Sequence, residues 1–264
     1  MRSIPNKFSQ YADRIRGLAP QSLNDPAAIP NLWMESCQIR NREVTMCYAP
    51  FDYVNRDARI VIVGMTPGRQ QAGNALRAAQ AALMKGMSLD KAAKDAKVFA
   101  SFSGSMRGNL VRMLDLVGVA ELLGLETTAT LWDRDSALVH FTSALRYPVF
   151  VDGDNWSGNP DMVKTPELRR WLEDYTGEEL AALPNTILVP LGPKVTAALN
   201  HLASLGKIDK NRIMAGLPHP SGANNERIAY FLGEKAADLC SAKTNTVALD
   251  TAREALRARV SQLK

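Results

Sequence analysis

The sequence predicts an α/β fold, a three-layer α/β/α sandwich around a central, mainly parallel sheet of four strands. Short apolar runs rich in β-branched residues recur along the chain, and each is followed by a helical pattern. The 264 residues suffice for one large domain. Strands that alternate with helices are joined by right-handed crossovers, which give a parallel sheet covered by helices on both faces.

The elements follow from local composition. The predicted strands cover residues 58–63, 137–142, 186–191 and 212–216, and each ends near a glycine or a polar turn. The predicted helices cover residues 74–100, 109–117, 194–205, 224–239 and 249–263. A further helix opens at Thr165, where threonine is a favoured N-cap and Pro166 suits the first helical position. Residues 148–166, rich in Pro, Gly, Asp and Asn, predict a long loop.

We expect a single domain over residues 1–264. Residues 1–57 are rich in Pro and Asn and predict a cover of helices and loops, residues 58–240 form the core, and residues 241–264 form a C-terminal helix. The longest apolar runs are too short to cross a bilayer, and the first residues lack the apolar stretch of a secretion signal. We therefore expect a cytoplasmic monomer.

Charge and cysteine content narrow the function classes. The net charge of +5 favours a polyanionic partner such as DNA, although a basic solvated surface explains it equally. The three cysteines are too few for a disulfide framework or a four-cysteine cluster. The three histidines are scattered without metal-ligand spacing, so we expect neither metal nor cofactor.

Two loops at the predicted carboxyl edge of the sheet carry the chemistry. The first is Gly64-Met-Thr-Pro-Gly68, directly after a strand, where glycine permits a sharp turn and exposed amides can donate hydrogen bonds. An ordinary strand-to-helix turn would look the same. The second is His219-Pro-Ser-Gly222, in which flanking prolines restrict a histidine that can donate to a leaving-group oxygen. Helix capping is the alternative interpretation of Ser221.

Taken together, these loops resemble the uracil-DNA glycosylase superfamily. The first resembles the family's strand-ending Gly-x-x-Pro-Gly motif, and the second resembles its His-Pro-Ser motif. Segments at residues 100–110, 141–148 and 188–193 resemble the intervening family segments in the expected order, so the likeness spans roughly residues 58–240. The resemblance implies an enzyme that extrudes one nucleotide from DNA and hydrolyses its N-glycosidic bond.

The resemblance also implies roles for individual residues. His219 stabilises the departing base, Thr66 occupies the water-positioning place in the first loop, and Phe102 is the stacking platform. The other base-binding positions are Gly64, Met65 and Ser143. The DNA contacts are Pro67, Gly68, Arg69, Ser221 and Asn224. Independently of the resemblance, Arg107 and Lys194 are predicted to bind phosphate, because each lies near the start of a helix, where anions are favoured. Core packing is the alternative for Phe102, and loop packing is the alternative for His219.

This sequence departs from the family pattern at several positions. Members often carry a carboxylate or Asn where this chain has Met65 and Thr66, so Asp152 or Asp154 is considered as a replacement carboxylate, against the alternative of solvated loop residues. Ser143 stands where an Asn commonly reads the pyrimidine edge, and a smaller side chain suggests a larger base than uracil, such as a 5-substituted cytosine. Residues 74–100 form an insertion that either widens the DNA footprint or is merely exposed helix.

Three alternatives stay open. Repair of deaminated bases competes with removal of a deliberately modified base in defence against viruses. A catalytically silent DNA-binding module of the same fold would also fit the lost carboxylate and Asn. An enzyme acting on free nucleotides is less favoured, because no phosphate-loop or dinucleotide-binding motif is present. Trp156 and Tyr147 are expected beside the pocket, either as contacts to DNA or as packing.

Overall fold

Strands and helices alternate through most of the chain in the computed structural model, which describes residues 6–102 and 104–263. The strands are β1 (Trp33–Ile39), β2 (Arg42–Cys47), β3 (Ile60–Gly64), β4 (Val139–Ser143), β5 (Val149–Val151), β6 (Asp154–Asn155) and β7 (Ile187–Pro190). The helices are α1 (Phe8–Arg16), α2 (Arg69–Met84), α3 (Leu89–Ala100), α4 (Ser105–Leu116), α5 (Val119–Leu123), α6 (Pro166–Trp171), α7 (Glu178–Ala181), α8 (Pro193–Ser204), α9 (Asn225–Phe231) and α10 (Thr246–Leu263). The predicted domain's ends at residues 1–5 and Lys264, and Ser103 in the stacking segment, lie outside the described residues.

A parallel sheet in the order β4-β3-β7 organises the chain, as the sequence predicts for an α/β fold. Its strands are short and buried, which is typical of a sheet covered on both faces; β3 and β7 are apolar, whereas β4 also carries His140, Thr142 and Ser143. Gly64 at the end of β3 lies opposite Ser143 at the end of β4. The loops that follow these strands therefore leave the sheet at the same edge.

Helices cover both faces of this sheet. Val61 and Leu188 point to one side, where they pack in a cluster with α1, α2, α3 and α8. Ile62 and Phe141 point to the other, where they pack with α4, α9 and α10. Because successive residues of a strand face opposite sides, continuous apolar strands supply both clusters.

The fourth parallel strand, predicted over residues 212–216, is not formed. Within the described residues the chain touches β7 through one bridge, in which Ile213 pairs with Leu188 and the Met214 amide donates to the Leu188 carbonyl at 2.8 Å. Gly216 then adopts a φ of +134°, a conformation that only glycine takes easily, and the chain turns away. The described parallel sheet therefore has three strands.

A second, antiparallel sheet in the order β1-β2-β5-β6 replaces two predicted irregular regions. The prediction of helices and loops over residues 1–57 was wrong for β1 and β2, which form a hairpin. Its turn residues Arg40 and Asn41 both have positive φ, as a two-residue turn requires. Residues 148–166, predicted as a loop, begin with β5 and β6, which Asp152 and Gly153 connect in the same way.

The helices are formed where predicted, with different ends. The helix predicted over residues 74–100 is divided into α2 and α3 at Gly86, which has a φ of +71°. The hydroxyl of Ser88 caps α3 by accepting a hydrogen bond from the Lys91 amide at 3.4 Å. The helix predicted over residues 224–239 ends at Phe231, and the last helix begins at Thr246.

Candidate functional site

The loops at the carboxyl edge of the parallel sheet enclose a cavity of about 720 Å³. Every predicted site residue except Arg107 lines it: Gly64, Met65, Thr66, Pro67, Gly68, Arg69, Phe102, Ser143, Lys194, His219, Ser221 and Asn224. The sequence-based expectation that the two loops face one space is therefore met. A volume of this size lies in the range of small-molecule binding sites, and it exceeds what a single pyrimidine ring fills.

Backbone hydrogen bonds hold the first loop against the chain that follows β4. The carbonyl of Gly64 accepts from the Ala144 amide at 2.8 Å, and that of Met65 accepts from the Leu145 amide at 2.9 Å. At the far end of the loop, the Gly68 amide donates to Oε1 of Gln71 at 3.2 Å. These hydrogen bonds fix both ends of the loop.

Thr66 connects the two sheets. Its hydroxyl donates to the Tyr147 carbonyl at 3.0 Å and accepts from the Val149 amide at 3.1 Å. A hydroxyl has a single hydrogen, so this group has no donor left for a water molecule. Thr66 can therefore contact a water molecule only through its one remaining acceptor position. Its two hydrogen bonds hold the first loop against the chain around β5.

Gly64, Phe102 and Ser143 form one wall. A Cβ added at Gly64 would lie 3.0 Å from Cε1 of Phe102 and 3.4 Å from Oγ of Ser143, so glycine is needed where the ring approaches the strand. Phe102 itself has a φ of +50°, a strained conformation for a non-glycine residue. Its ring is buried and packs edge-on against Phe141. One side of a buried ring thus lines the cavity.

Arg107 maintains this strained segment and does not line the cavity. Its guanidinium donates to the carbonyls of Phe99 and Ser101 at 3.2 and 3.3 Å and lies over the Trp132 ring. The Trp132 indole also donates to the Ser101 carbonyl, at 2.9 Å. The predicted phosphate contact is therefore replaced, in this structure, by contacts that position the Phe102 segment.

The second loop fixes the tautomer of His219. The Ser221 amide donates to Nδ1 of His219 at 3.3 Å, and the Ser221 hydroxyl lies 3.0 Å from the same nitrogen. Because Nδ1 accepts from a backbone amide, the proton of the neutral ring resides on Nε2. Burial lowers the pKa of His219, so the ring is neutral at pH 7. Nε2 can therefore donate a hydrogen bond.

A chain of side chains supports Ser221. Asn224 donates through Nδ2 to the Ser221 hydroxyl at 3.2 Å, and Arg227 donates to Oδ1 of Asn224 at 2.8 Å. On the other side, Asn109 of α4 donates to the Pro220 carbonyl at 3.0 Å. With its oxygen accepting from Asn224, the Ser221 hydroxyl is free to donate to His219. Ser221 and Asn224, predicted as DNA contacts, thus also orient the imidazole.

The charged side chains that line the cavity are all cationic. Among the described lining residues there is no Asp or Glu, whereas Arg69, Arg146, Lys194 and Arg227 contribute positive charge. Lys194 donates to the Gly158 carbonyl at 2.7 Å, and Arg69 is paired with Asp25 at 2.6 Å. Such a cavity suits a ligand that is anionic or that becomes anionic.

The carboxylates considered as replacements do not line the cavity. Asp152 accepts hydrogen bonds from Arg42 at 2.7 Å and from the Glu43 amide at 2.9 Å, and these contacts hold its pKa below the ordinary value. Asp154 is exposed on β6. Tyr147 is fully buried and packs in the core. Trp156 is buried too, but it lines the cavity.

Sequence reasoning missed Arg227 and gave no individual role to Asn155 or Arg146. Asn155 lines the cavity from β6 and accepts from the Arg69 amide at 2.8 Å, which joins the antiparallel sheet to the start of α2. The Asp-Gly pair before it, a strong hairpin signal, could have placed this edge. Arg227 lies six residues after Ser221, in the first turn of α9, and no motif position pointed to it.

A buried ionic cluster lies under the cavity floor. The Glu179 carboxylate accepts from Lys97 at 3.0 Å, from Nε2 of His140 at 2.8 Å and from the Thr142 hydroxyl at 2.6 Å. Its second oxygen is 3.6 Å from Nε of Arg146. Burial alone would raise the pKa of Glu179, but the charges of Arg146 and Lys97 hold it well below the ordinary value. Arg146 therefore links this cluster to the cavity.

The pKa values of Lys97 and His140 in this cluster are both lowered. Burial lowers the pKa of Lys97 to about 8 and that of His140 to about 4. The Asn55 amide donates to Nδ1 of His140 at 3.3 Å, so this imidazole is also neutral with its proton on Nε2. His140 thus stabilises the fold as a neutral donor.

Neither a membrane-spanning helix nor a metal-binding cluster is found among the described residues. No helix in the described part of the chain is long and apolar enough to span a bilayer. Within residues 6–102 and 104–263, no group of three or more His, Cys, Asp or Glu side chains is arranged to hold a metal ion.

Comparison with known proteins gives one relative of high coverage. The uncharacterized protein YoxB of Bacillus subtilis (strain 168) is 35% identical over 199 residues, which represent 74% of this chain and 78% of YoxB. No family model matches the chain, and no solved structure matches it. The identity and coverage show that the chain belongs to the same family as YoxB.

Proposed function

We propose that this protein is a monomeric, cytoplasmic DNA glycosylase of the uracil-DNA glycosylase superfamily. It hydrolyses the N-glycosidic bond of an extruded nucleotide and leaves an abasic site. As the bond breaks, negative charge develops on the departing base and positive charge on the sugar. Helices on both faces of the parallel sheet support the family's three-layer α/β/α arrangement, with the Ile213 bridge at the place of a fourth strand.

The observation that carries the proposal is the orientation of His219. Its Nδ1 is occupied by the Ser221 amide, so Nε2–H is left as a donor on a ring that lines the cavity. A donor fixed before the reaction stabilises developing negative charge without reorganisation. The cationic lining and the absence of carboxylates among the described lining residues favour the same anionic leaving group.

The residue at position 143 supports a base larger than uracil. Ser143 lines the cavity and leaves room where a longer amide would stand. We therefore propose a 5-substituted cytosine as the substrate base, which implies a defence role against DNA that carries modified bases. Uracil is the alternative substrate.

The test uses duplex oligonucleotides that each contain a single uracil, 5-hydroxymethylcytosine or glucosylated 5-hydroxymethylcytosine. Alkali cleavage at the resulting abasic site reports excision. We expect strand cleavage with a substituted cytosine, and His219→Ala should reduce the rate by about 10²–10³-fold. His201→Ala is the matched control, because His201 pairs with Glu173 away from the cavity. Exclusive uracil excision would overturn the substrate assignment.

A catalytically silent DNA-binding module is the second candidate, and one observation favours it. The hydroxyl of Thr66 is engaged by the backbone of Tyr147 and Val149, so the first loop offers no group that can take a proton from water. Under this alternative the oligonucleotides would bind but none would be cleaved, and His219→Ala would leave their affinity unchanged.

A further inference from the structure

A second cavity, also about 720 Å³, adjoins the first across the His219 loop. The two share a wall formed by the beginning of α8 and by the second loop. The shared residues are Gly192, Pro193, His219, Asn224 and Arg227. The His219 loop approaches the start of α8 closely at Gly192, where an added Cβ would lie 3.3 Å from the His219 Cβ. The two cavities therefore lie side by side, with the His219 loop between them.

The polar lining of the second cavity is cationic or neutral. Lys243 and Arg227 supply positive charge, Asn200 and Asn245 supply amides, and no Asp or Glu is among the described lining residues. Lys243 is exposed, so its ammonium can reach a bound anion. Amides beside cations match a phosphodiester next to a base edge.

The floor of this cavity is apolar and built from small side chains. Ala197 on α8, Ala215, and Ala248, Leu249 and Ala252 on α10 contribute to this apolar lining. Small, flat apolar surfaces accept the face of a sugar or a nucleobase without selecting a particular base. The lining thus combines a shape-tolerant floor with a charged rim.

The wall that carries Lys243 is held in place. Glu226 accepts hydrogen bonds from the Ser241 hydroxyl and from the Thr244 hydroxyl, each at 2.6 Å. Arg227 donates to the Lys243 carbonyl at 3.0 Å and, through its other nitrogen, to Asn224. The same guanidinium therefore fixes both the second cavity's rim and the side chains that orient His219.

We propose that the second cavity binds the nucleotide that adjoins the extruded one on the same DNA strand. This inference rests on the proposed function. A polynucleotide is a ligand whose consecutive units occupy adjoining cavities, and its phosphodiester would cross the shared wall near Arg227. Lys243 neutralises phosphate, and the apolar floor holds the neighbouring sugar and base.

The test measures fluorescence anisotropy with a labelled single-stranded 11-mer that contains one central tetrahydrofuran abasic site. Ala197→Glu places a negative charge on an exposed position of the second cavity, and we expect Kd to rise at least about tenfold. Ala197→Gln, of equal size, should change Kd less than about twofold. Ser204→Glu adds the same charge to α8 outside both cavities and should also have little effect. Lys243→Gln should reduce the slope of log K against log salt by about 0.7, as expected for one lost phosphate contact.

Two further oligonucleotides locate the effect, with the tetrahydrofuran site at the 5′ end in one and at the 3′ end in the other. One of these two lacks the nucleotide that would occupy the second cavity. With that oligonucleotide, Ala197→Glu should no longer raise Kd. If the wild-type protein binds the abasic 11-mer but Ala197→Glu and Ala197→Gln bind it equally, the second-cavity proposal is overturned and the glycosylase proposal stands. If the wild-type protein shows no preference for the abasic 11-mer over an undamaged one, the failure belongs to the proposed function.

Discussion

Replacing Glu179 by glutamine should destabilise the protein strongly. The carboxylate is fully buried and lies within hydrogen-bond distance of Lys97, His140 and Thr142. Glutamine has nearly the same shape but no charge, so the substitution leaves the buried Lys97 ammonium without its counter-ion. Arg146 loses its nearby carboxylate as well.

The expected magnitude follows from the burial of all partners. Lys97 is 2% exposed and Glu179 is 0% exposed. Water therefore cannot solvate the Lys97 ammonium after the carboxylate charge is removed. Breaking a buried ion pair by removing one partner costs about 3–5 kcal/mol. In a domain of this size, that corresponds to a fall in Tm of about 6–20 °C.

Glu178→Gln provides a matched control at the adjacent position. Glu178 pairs with Lys207 at 2.5 Å, but the two side chains are 29% and 26% exposed. Solvent screens such a pair, and its removal should cost at most about 1 kcal/mol. Both variants would be compared with the wild type by urea denaturation followed by circular dichroism. Equal midpoints for the two variants would show that the buried cluster contributes no more than a surface ion pair.

Acid should destabilise the wild-type protein through His140, and Gly64→Ala should destabilise it through the cavity wall. His140 is neutral in the fold, with a pKa lowered from 6.5 to about 4, so the unfolded state binds more protons as pH falls through this window. Stability should therefore decrease by on the order of 3 kcal/mol between these values, and a urea midpoint that is flat from pH 7 to pH 5 would contradict this sign. Gly64→Ala forces the Phe102 ring to move and should cost about 1–3 kcal/mol, whereas Gly108→Ala, with open space around it, should stabilise α4 by about 0.5–1 kcal/mol. Thermal unfolding of the two variants decides this, and shifts of the same sign would refute the packing argument.

The parallel sheet could be predicted because its signal is local. A continuous apolar run such as Ile60–Gly64 is typical of a strand that is buried on both faces, as β3 is. The predicted strand at residues 212–216 is less regular, with one β-branched residue, and Gly216 turns the chain away after a single bridge. Pairing at a sheet edge depends on where the chain goes next, which a short window of sequence does not contain.

The antiparallel sheet was missed for a different reason. The β1–β2 turn uses Arg40 and Asn41 with positive φ, without the glycine that usually marks such a turn. β5 is short and pairs with β2 at a distance of about one hundred residues along the chain, so tertiary contacts determine it. Asn155 reaches the cavity wall on β6, which pairs with β5, so its role depends on this sheet and not on a motif.

The site positions were predictable where a loop fixes them and less so where a side chain has two possible partners. His219 lies between prolines, and its environment follows from its own loop. Thr66 was expected to orient water, but its hydroxyl donates to Tyr147 and accepts from Val149, about eighty residues away along the chain, and one acceptor position remains. Because the Thr66 hydroxyl is engaged in these contacts, the described residues act on the reaction mainly at the departing base. Stabilisation of the leaving group by His219 must then supply most of the rate enhancement that side chains provide, and a base that is already a good leaving group should depend on His219 least.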